Sequence, residues 1–158
     1  MAERIVIHLD DLAKSIESES RREQSYDRWV GNCVVANGCF DIIHPGHLRV
    51  IQTLYVTAGY RIPVIAINSD SSVKRLKGST RPFITESARA ELLTSLKWPV
   101  NVVIFDEDTP QRLMDLLKPP IVVKGSQYSE ESVVRWKDSR VVLCPMEDGW
   151  STTKIIGK

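Results

Sequence analysis

The sequence predicts a single α/β domain built on a doubly wound, mainly parallel sheet of five strands. Three observations predict it. Five short runs rich in Val and Ile recur from Cys33 onward: "CVVA" (33–36), "IPVIAI" (62–67), "NVVIF" (101–105), "IVV" (121–123) and "RVVLC" (140–144). None alternates strictly between apolar and polar, which is how strands covered on both faces read. Segments with helical apolar spacing lie between them, so strand and helix alternate along the chain. The expected architecture is Rossmann-like.

With 158 residues the chain is long enough for one domain with a core. A net charge of +1 gives no bulk attraction to nucleic acid or an anionic membrane, so any anion has to be captured locally. No apolar run approaches the roughly 20 residues of a bilayer span. The opening "MAERIVIHLDD" carries acids and no long apolar core, so no signal peptide is read there. Cys33, Cys39 and Cys144 lack CxxC spacing and read as reduced thiols of a cytoplasmic protein.

Residues 1–30 read as a helical lead-in and 31–158 as the main domain. In the lead-in, Leu9, Leu12 and Ile16 fall at helical spacing, with Asp10 or Asp11 as the cap. The polar run "ESESRREQ" (17–24) reads as a solvated face. After the first strand comes "NGCFDIIHPGH" (37–47). Gly38 allows a tight exit, and Pro45 suits the first turn of a helix, where its missing N–H has no partner to lose. That helix is expected to run to Ala58, burying Leu48, Ile51, Leu54, Tyr55 and Ala58, with Gly59 as its stop. "KRLKGSTRP" (74–82) reads as a basic loop. A second helix buries Ala88, Leu92 and Leu96. A third opens at Thr109-Pro110 and buries Leu113, Leu116 and Leu117, with Lys118 near its end. In the closing "GWSTTKII" (149–156), Gly149 turns, Ser151 caps, and Thr152 and Thr153 are the first helical residues.

Ligands of such a sheet bind outside the carboxyl ends of its strands. The helix from Pro45 points its positive end there, and Gly46 lets a ligand come close to the backbone. Two of the three histidines, His44 and His47, flank that end. A lone histidine would read as a satisfied core group; two framing Pro-Gly at a strand-to-helix junction suit a polyphosphate on which charge builds during attack at phosphorus. A zinc site would need a further ligand, and Asp41 is the only nearby candidate. Lys77 and Arg81 flank Gly78 on the ligand side, placed to hold phosphate oxygens, while Lys74 and Arg75 read as solvated. Ser151 to Thr153 offer hydroxyls and unpaired N–H groups to an anion, and Lys154 adds charge. No GxGxxG follows any strand, which disfavours a dinucleotide oxidoreductase.

The "HPGH" at 44–47 resembles the HxGH signature of the nucleotidyltransferase superfamily, which holds cytidylyltransferases and several adenylyltransferases. Taken in order, "NGCFDIIHPGH", "NSDSSVKRLKGSTRP" (68–82), "FDEDTP" (105–110), "VVKG" (122–125) and "GWSTTKII" resemble the adenylyltransferases that make ADP-heptose for the lipopolysaccharide core. The likeness runs from about Ile5 to the end. It implies transfer of AMP from ATP to a sugar 1-phosphate, heptose 1-phosphate first, with release of pyrophosphate. It implies His44, His47 and Lys77 as catalytic residues. Asn37, Gly38, Cys39, Phe40, Gly46, Arg89, Lys124, Gly125, Ser151, Thr152 and Thr153 are implied as nucleotide contacts, the last three closing over the β- and γ-phosphates. Arg89 is carried over from the related cytidylyltransferases. Asp41, Arg81, Ser126 and Gln127 are the implied acceptor contacts. Mg²⁺ is expected to arrive with ATP, and no resident metal is expected.

The expected partners are ATP, a sugar 1-phosphate, a separate upstream sugar kinase and further copies of the same chain, with no nucleic acid or membrane. The sequence departs from the family after "VKG". The family's "VKGGDY" has an acid where Ser126-Gln127 precede Tyr128 here, which puts the sugar in question. Gly59-Tyr60 and Val100-Asn101 also replace the family's Gly-Asp and Val-Asp, and those two changes read as structural. Two alternatives stand beside the first reading. One is a cytidylyltransferase acting on an alcohol phosphate such as glycerol 3-phosphate; the other is a catalytically silent nucleotide-binding module.

Overall fold

The computed structural model describes residues 4–18, 26–146 and 149–157. Its centre is one parallel sheet of six strands: β1 (Val6–His8), β2 (Cys33–Gly38), β3 (Ile62–Asn68), β4 (Asn101–Phe105), β5 (Ile121–Gly125) and β6 (Arg140–Cys144). The spatial order is β1-β4-β3-β2-β5-β6. Helices α1 (Leu9–Glu17), α2 (Pro45–Ala58), α3 (Asp70–Lys77), α4 (Glu86–Ser95), α5 (Gln111–Leu117) and α6 (Thr152–Ile155) connect or follow them.

The five expected strands are present, and a sixth joins them from the lead-in. Residues Val6 to His8 pair in parallel with Val102 to Ile104 at the sheet edge. Three residues are too few for a periodicity signal, and two of them are exposed, so there was no apolar run to count.

The missing alternation in the strands has a direct cause. Successive residues of one strand point to opposite faces, and both faces are covered. On one face Val34, Ala36, Ile65 and Ile67 pack with Ile51 and Leu54 of α2 and Leu93 of α4. On the other, Cys33, Val35, Val64 and Ala66 pack with Leu12 of α1, Trp29, and Leu113 and Leu117 of α5. No residue of these central strands is left to solvent, so none needs to be polar.

The helices differ from expectation in several places. The stretch from Lys74 to Lys77 is the second half of α3 and not a loop. Its start is marked by Ser69, whose hydroxyl accepts the Ser72 N–H at 3.1 Å, with Asp70 in the first turn. Gly78, at φ +102°, ends it in a backbone region that side chains disfavour. Helix α4 buries Arg89, Ala90 and Leu93, while Leu92 is 45% exposed. An apolar-stripe count passes over a buried arginine, and so it chose the wrong face. Tyr55 of α2 is 41% exposed, and in α5 Met114 takes the buried place expected of Leu116. In α1 the cap is His8, without a side-chain bond, and Asp10 and Asp11 lie in the first turn. Most of the polar run 17–24 lies outside the described residues. Cys33, Cys39 and Cys144 are unpaired thiols, as expected. Among the described residues no helix is long and apolar enough to cross a membrane.

The topology also fixes where a ligand goes. The chain leaves β2 first toward β3 and β4, then returns to β5 on its other side. The crevice at that reversal lies beyond the carboxyl ends of β2 and β5, at Asn37-Gly38 and Lys124-Gly125.

Candidate active site

A cavity of about 480 Å³ occupies that crevice. The turn after β2 builds its floor. His44 has extended backbone (φ −142°, ψ 168°) and caps α2, its Nδ1 accepting the His47 N–H at 3.3 Å. Pro45 takes the first helical position. The two imidazoles stack with centroids 3.7 Å apart and planes at 22°. The His47 ring rests in turn on Phe40, 4.8 Å between centroids.

Gly46 makes this possible. A Cβ there would lie 2.9 Å from His44 Cε1 and 3.0 Å from Met146 Cε. Glycine lets the His44 ring lie directly on the first turn of α2. Burial lowers the pKa of His44, and that of His47 falls to about 4, first through burial and then through its histidine neighbour. Both rings are therefore neutral near pH 7. A neutral imidazole can offer an N–H donor to an anion without the cost of burying a second charge. His47 Nδ1 is buried and has no hydrogen-bond partner among the described residues.

Cations surround the stacked pair. Lys124, at the end of β5, donates to the Asn37 carbonyl at 2.7 Å and lies 4.8 Å over the Tyr128 ring. Burial pulls its pKa down to about 8, so it keeps its charge at pH 7 and still has donors to offer. Lys77 and Arg81 line the opposite wall. Arg81 is fixed by Asp41, whose carboxylate accepts its Nε at 2.5 Å and the N–H groups of Phe83 at 2.8 Å and Ile84 at 3.0 Å. Asp41 is only 1% exposed and its oxygens face these donors. It ties the histidine turn to the loop that carries Arg81.

Most of the expected residues meet here. Asn37, Gly38, Cys39, Phe40, Asp41, His44, His47, Gly125 and Gln127 line the cavity with the three cations, and Ser151, Thr152 and Thr153 close one side. Ser151 caps α6 as expected, accepting the Lys154 N–H at 3.2 Å. Gly125 is needed because a Cβ there would meet Gln127 Oε1 at 2.1 Å. Three expected contacts do not line the cavity. Gly46 lies beneath His44. Ser126 accepts the Met146 N–H and faces away. Arg89 is fully buried, donating to the carbonyls of Ile84, Cys39 and Asn68 and to Asp70. It braces three segments around the site from below, and its guanidinium does not line the cavity.

Other wall residues went unnoticed in the sequence. Asn68 ends β3 as Asn37 nearly ends β2, so the rule about carboxyl ends could have found it. Asp108 follows β4 in the same way. Trp150 and Met146 come from the last loop, where no periodic signal points.

The sheet thus brings two neutral histidine rings, the N-terminus of α2 and three cations together at its switch point. Residues 35–157 match the cytidylyltransferase-like family, and the chain belongs to it. Among relatives, it is 45% identical over 157 residues to the bifunctional protein HldE of Geobacter metallireducens, covering 96% of this chain and 30% of that one. It is 42% identical over 146 residues to the bifunctional protein HldE of Gluconobacter oxydans, covering 89% and 30%. The chain thus spans about three-tenths of the length of these curated relatives. Among solved structures, the lipopolysaccharide core biosynthesis protein of Thermoplasma volcanium superposes with a TM-score of 0.59 at 24% identity, covering 74% of this chain and 98% of that one. That likeness is one of fold.

Proposed function

We propose that the protein transfers AMP from ATP to a sugar 1-phosphate, with heptose 1-phosphate as the acceptor. The observation that carries this reading is the stacked, neutral His44–His47 pair on the first turn of α2, ringed by Lys77, Arg81 and Lys124. The HldE name of the relatives and the order of the five motifs support the sugar.

In the proposed reaction an acceptor phosphate oxygen attacks the α-phosphorus in line. The new oxygen–phosphorus bond forms as the bond to the bridging β-phosphate oxygen breaks, and pyrophosphate leaves with the electron pair. Transfer at phosphorus needs positioning and charge stabilisation more than covalent help. The histidines donate to non-bridging oxygens as charge builds, Lys124 and Arg81 hold phosphates, and the α6 hydroxyls receive the outer phosphates. Among the described residues no three His, Cys, Asp or Glu side chains converge on a metal. Mg²⁺ belongs to the substrate as MgATP. A kinase reaction would supply the acceptor, since its anomeric phosphate must be made before transfer.

Pyrophosphate release across a matrix of nucleotides and acceptors tests the proposal. ATP with heptose 1-phosphate is expected to give the highest kcat/KM among ATP and CTP paired with heptose, hexose and glycerol phosphates. Highest turnover of CTP with glycerol 3-phosphate would contradict it and favour the cytidylyltransferase alternative. ATP binding without pyrophosphate in any pairing would identify a silent module.

A further inference from the structure

We propose that Asp108 reads the hydroxyls of the acceptor sugar, an assignment that rests on the sugar-phosphate reading above. Among the described residues two carboxylates line the cavity, Asp41 and Asp108. Asp41 is saturated by Arg81 and two backbone N–H groups. Asp108 is open. Its side chain is 56% exposed, and only its Oδ1 is engaged, by Arg75 Nε at 2.8 Å. Oδ2 has no protein donor among the described residues and is free to accept.

The carboxylate is also held still. Arg75 donates to the Asp106 carbonyl as well. Ser69 Oγ donates to Asp106 Oδ1 at 2.5 Å, and Ser72 Oγ to the Glu107 carbonyl at 3.0 Å. These bonds fasten the loop after β4 to α3, the helix whose last residue is the cavity-lining Lys77. Arg75 read as a solvated charge in the sequence; in the fold it anchors Asp108. Such preorganisation makes a single carboxylate selective, because no freedom is lost when a hydroxyl docks.

Space extends beyond it. A second cavity of about 590 Å³, at the carboxyl ends of β1 and β4, shares Asp108 with the first. A sugar whose phosphate sits at Lys77 and Arg81 can therefore present its ring past Asp108. Sugar hydroxyls donate, and an ionised carboxylate accepts more strongly than an amide. Gln127, after β5, offers only an amide, and Asp108, after β4, supplies a carboxylate from the opposite side of β2.

Steady-state kinetics of Asp108→Asn decide the matter. The change keeps size and removes the charge. KM for heptose 1-phosphate is expected to rise about tenfold, the scale of a lost bond to a charged acceptor, with KM for ATP within about twofold. The preference for heptose over glycerol phosphate should shrink, since glycerol phosphate has fewer hydroxyls to read. Arg75→Gln, which keeps the carboxylate but frees it to move, should weaken that preference part-way, less than Asp108→Asn does. An active wild type alongside an Asp108→Asn variant with unchanged acceptor kinetics overturns the assignment alone, as does an equal rise in both KM values. A wild type inert toward every sugar phosphate overturns the proposed function and this assignment together.

Discussion

At the scale of the residue, His47 shows how burial sets chemistry and stability at once. Its pKa is about 4 in the fold against an ordinary 6.5, because the ring lies between Phe40 and a second histidine. The unfolded chain takes up the proton first as pH falls. The stability this neutral ring contributes is therefore complete above pH 6.5 and is lost as pH drops from 6.5 toward 4, by about 3 kcal/mol at most. His44, shifted the same way by burial, steepens the loss. Urea denaturation from pH 7 to pH 4 checks this: wild type should lose stability across the window, and His47→Gln should lose less. Equal slopes would contradict the buried, neutral ring. Lys124 works in the opposite range. Its pKa near 8 predicts that the phosphate binding proposed for it weakens as pH rises past that value.

At the scale of the element, α6 is the piece proposed to close on the outer phosphates. Four residues are too few to hold a helix alone, and none of them is buried. Ser151, Thr152 and Thr153 nonetheless line the cavity. Removing residues 150–158 should weaken ATP binding at least tenfold and AMP binding little, since AMP lacks the phosphates these residues are proposed to receive. Calorimetry with both nucleotides measures it, and parallel losses would point to a damaged fold. This capped turn was legible in "GWSTT" because its cap chemistry is local. So were β2 to β5, whose two buried faces leave a continuous apolar run. Helix α3 was not read, because its charged residues Lys74, Arg75 and Lys77 hid the Ser69 cap ahead of them. Nor was the true face of α4, which turns on a buried arginine that only tertiary partners explain.

At the scale of the whole molecule, the site is assembled from five distant parts of the chain, one after each of β2 to β6, by one reversal in strand order. The sequence displayed each part, since each sits where a strand ends. It could not display the bonds between them. Asp41 reaches Arg81 across 40 positions, and Arg89 reaches Cys39 across 50. Those bonds make Asp41 and Arg89 braces of the site. What remains facing the cavity is a pair of imidazoles and a ring of cations, and the central claim is that the imidazoles stabilise charge during nucleotidyl transfer. Turnover of ATP with heptose 1-phosphate by His44→Ala and His47→Ala, followed by pyrophosphate release, tests that claim most directly. Each variant should lose about 10²-fold or more in kcat, the scale for one preorganised donor, while melting as a folded protein. Turnover within a few-fold of wild type in either variant would contradict it.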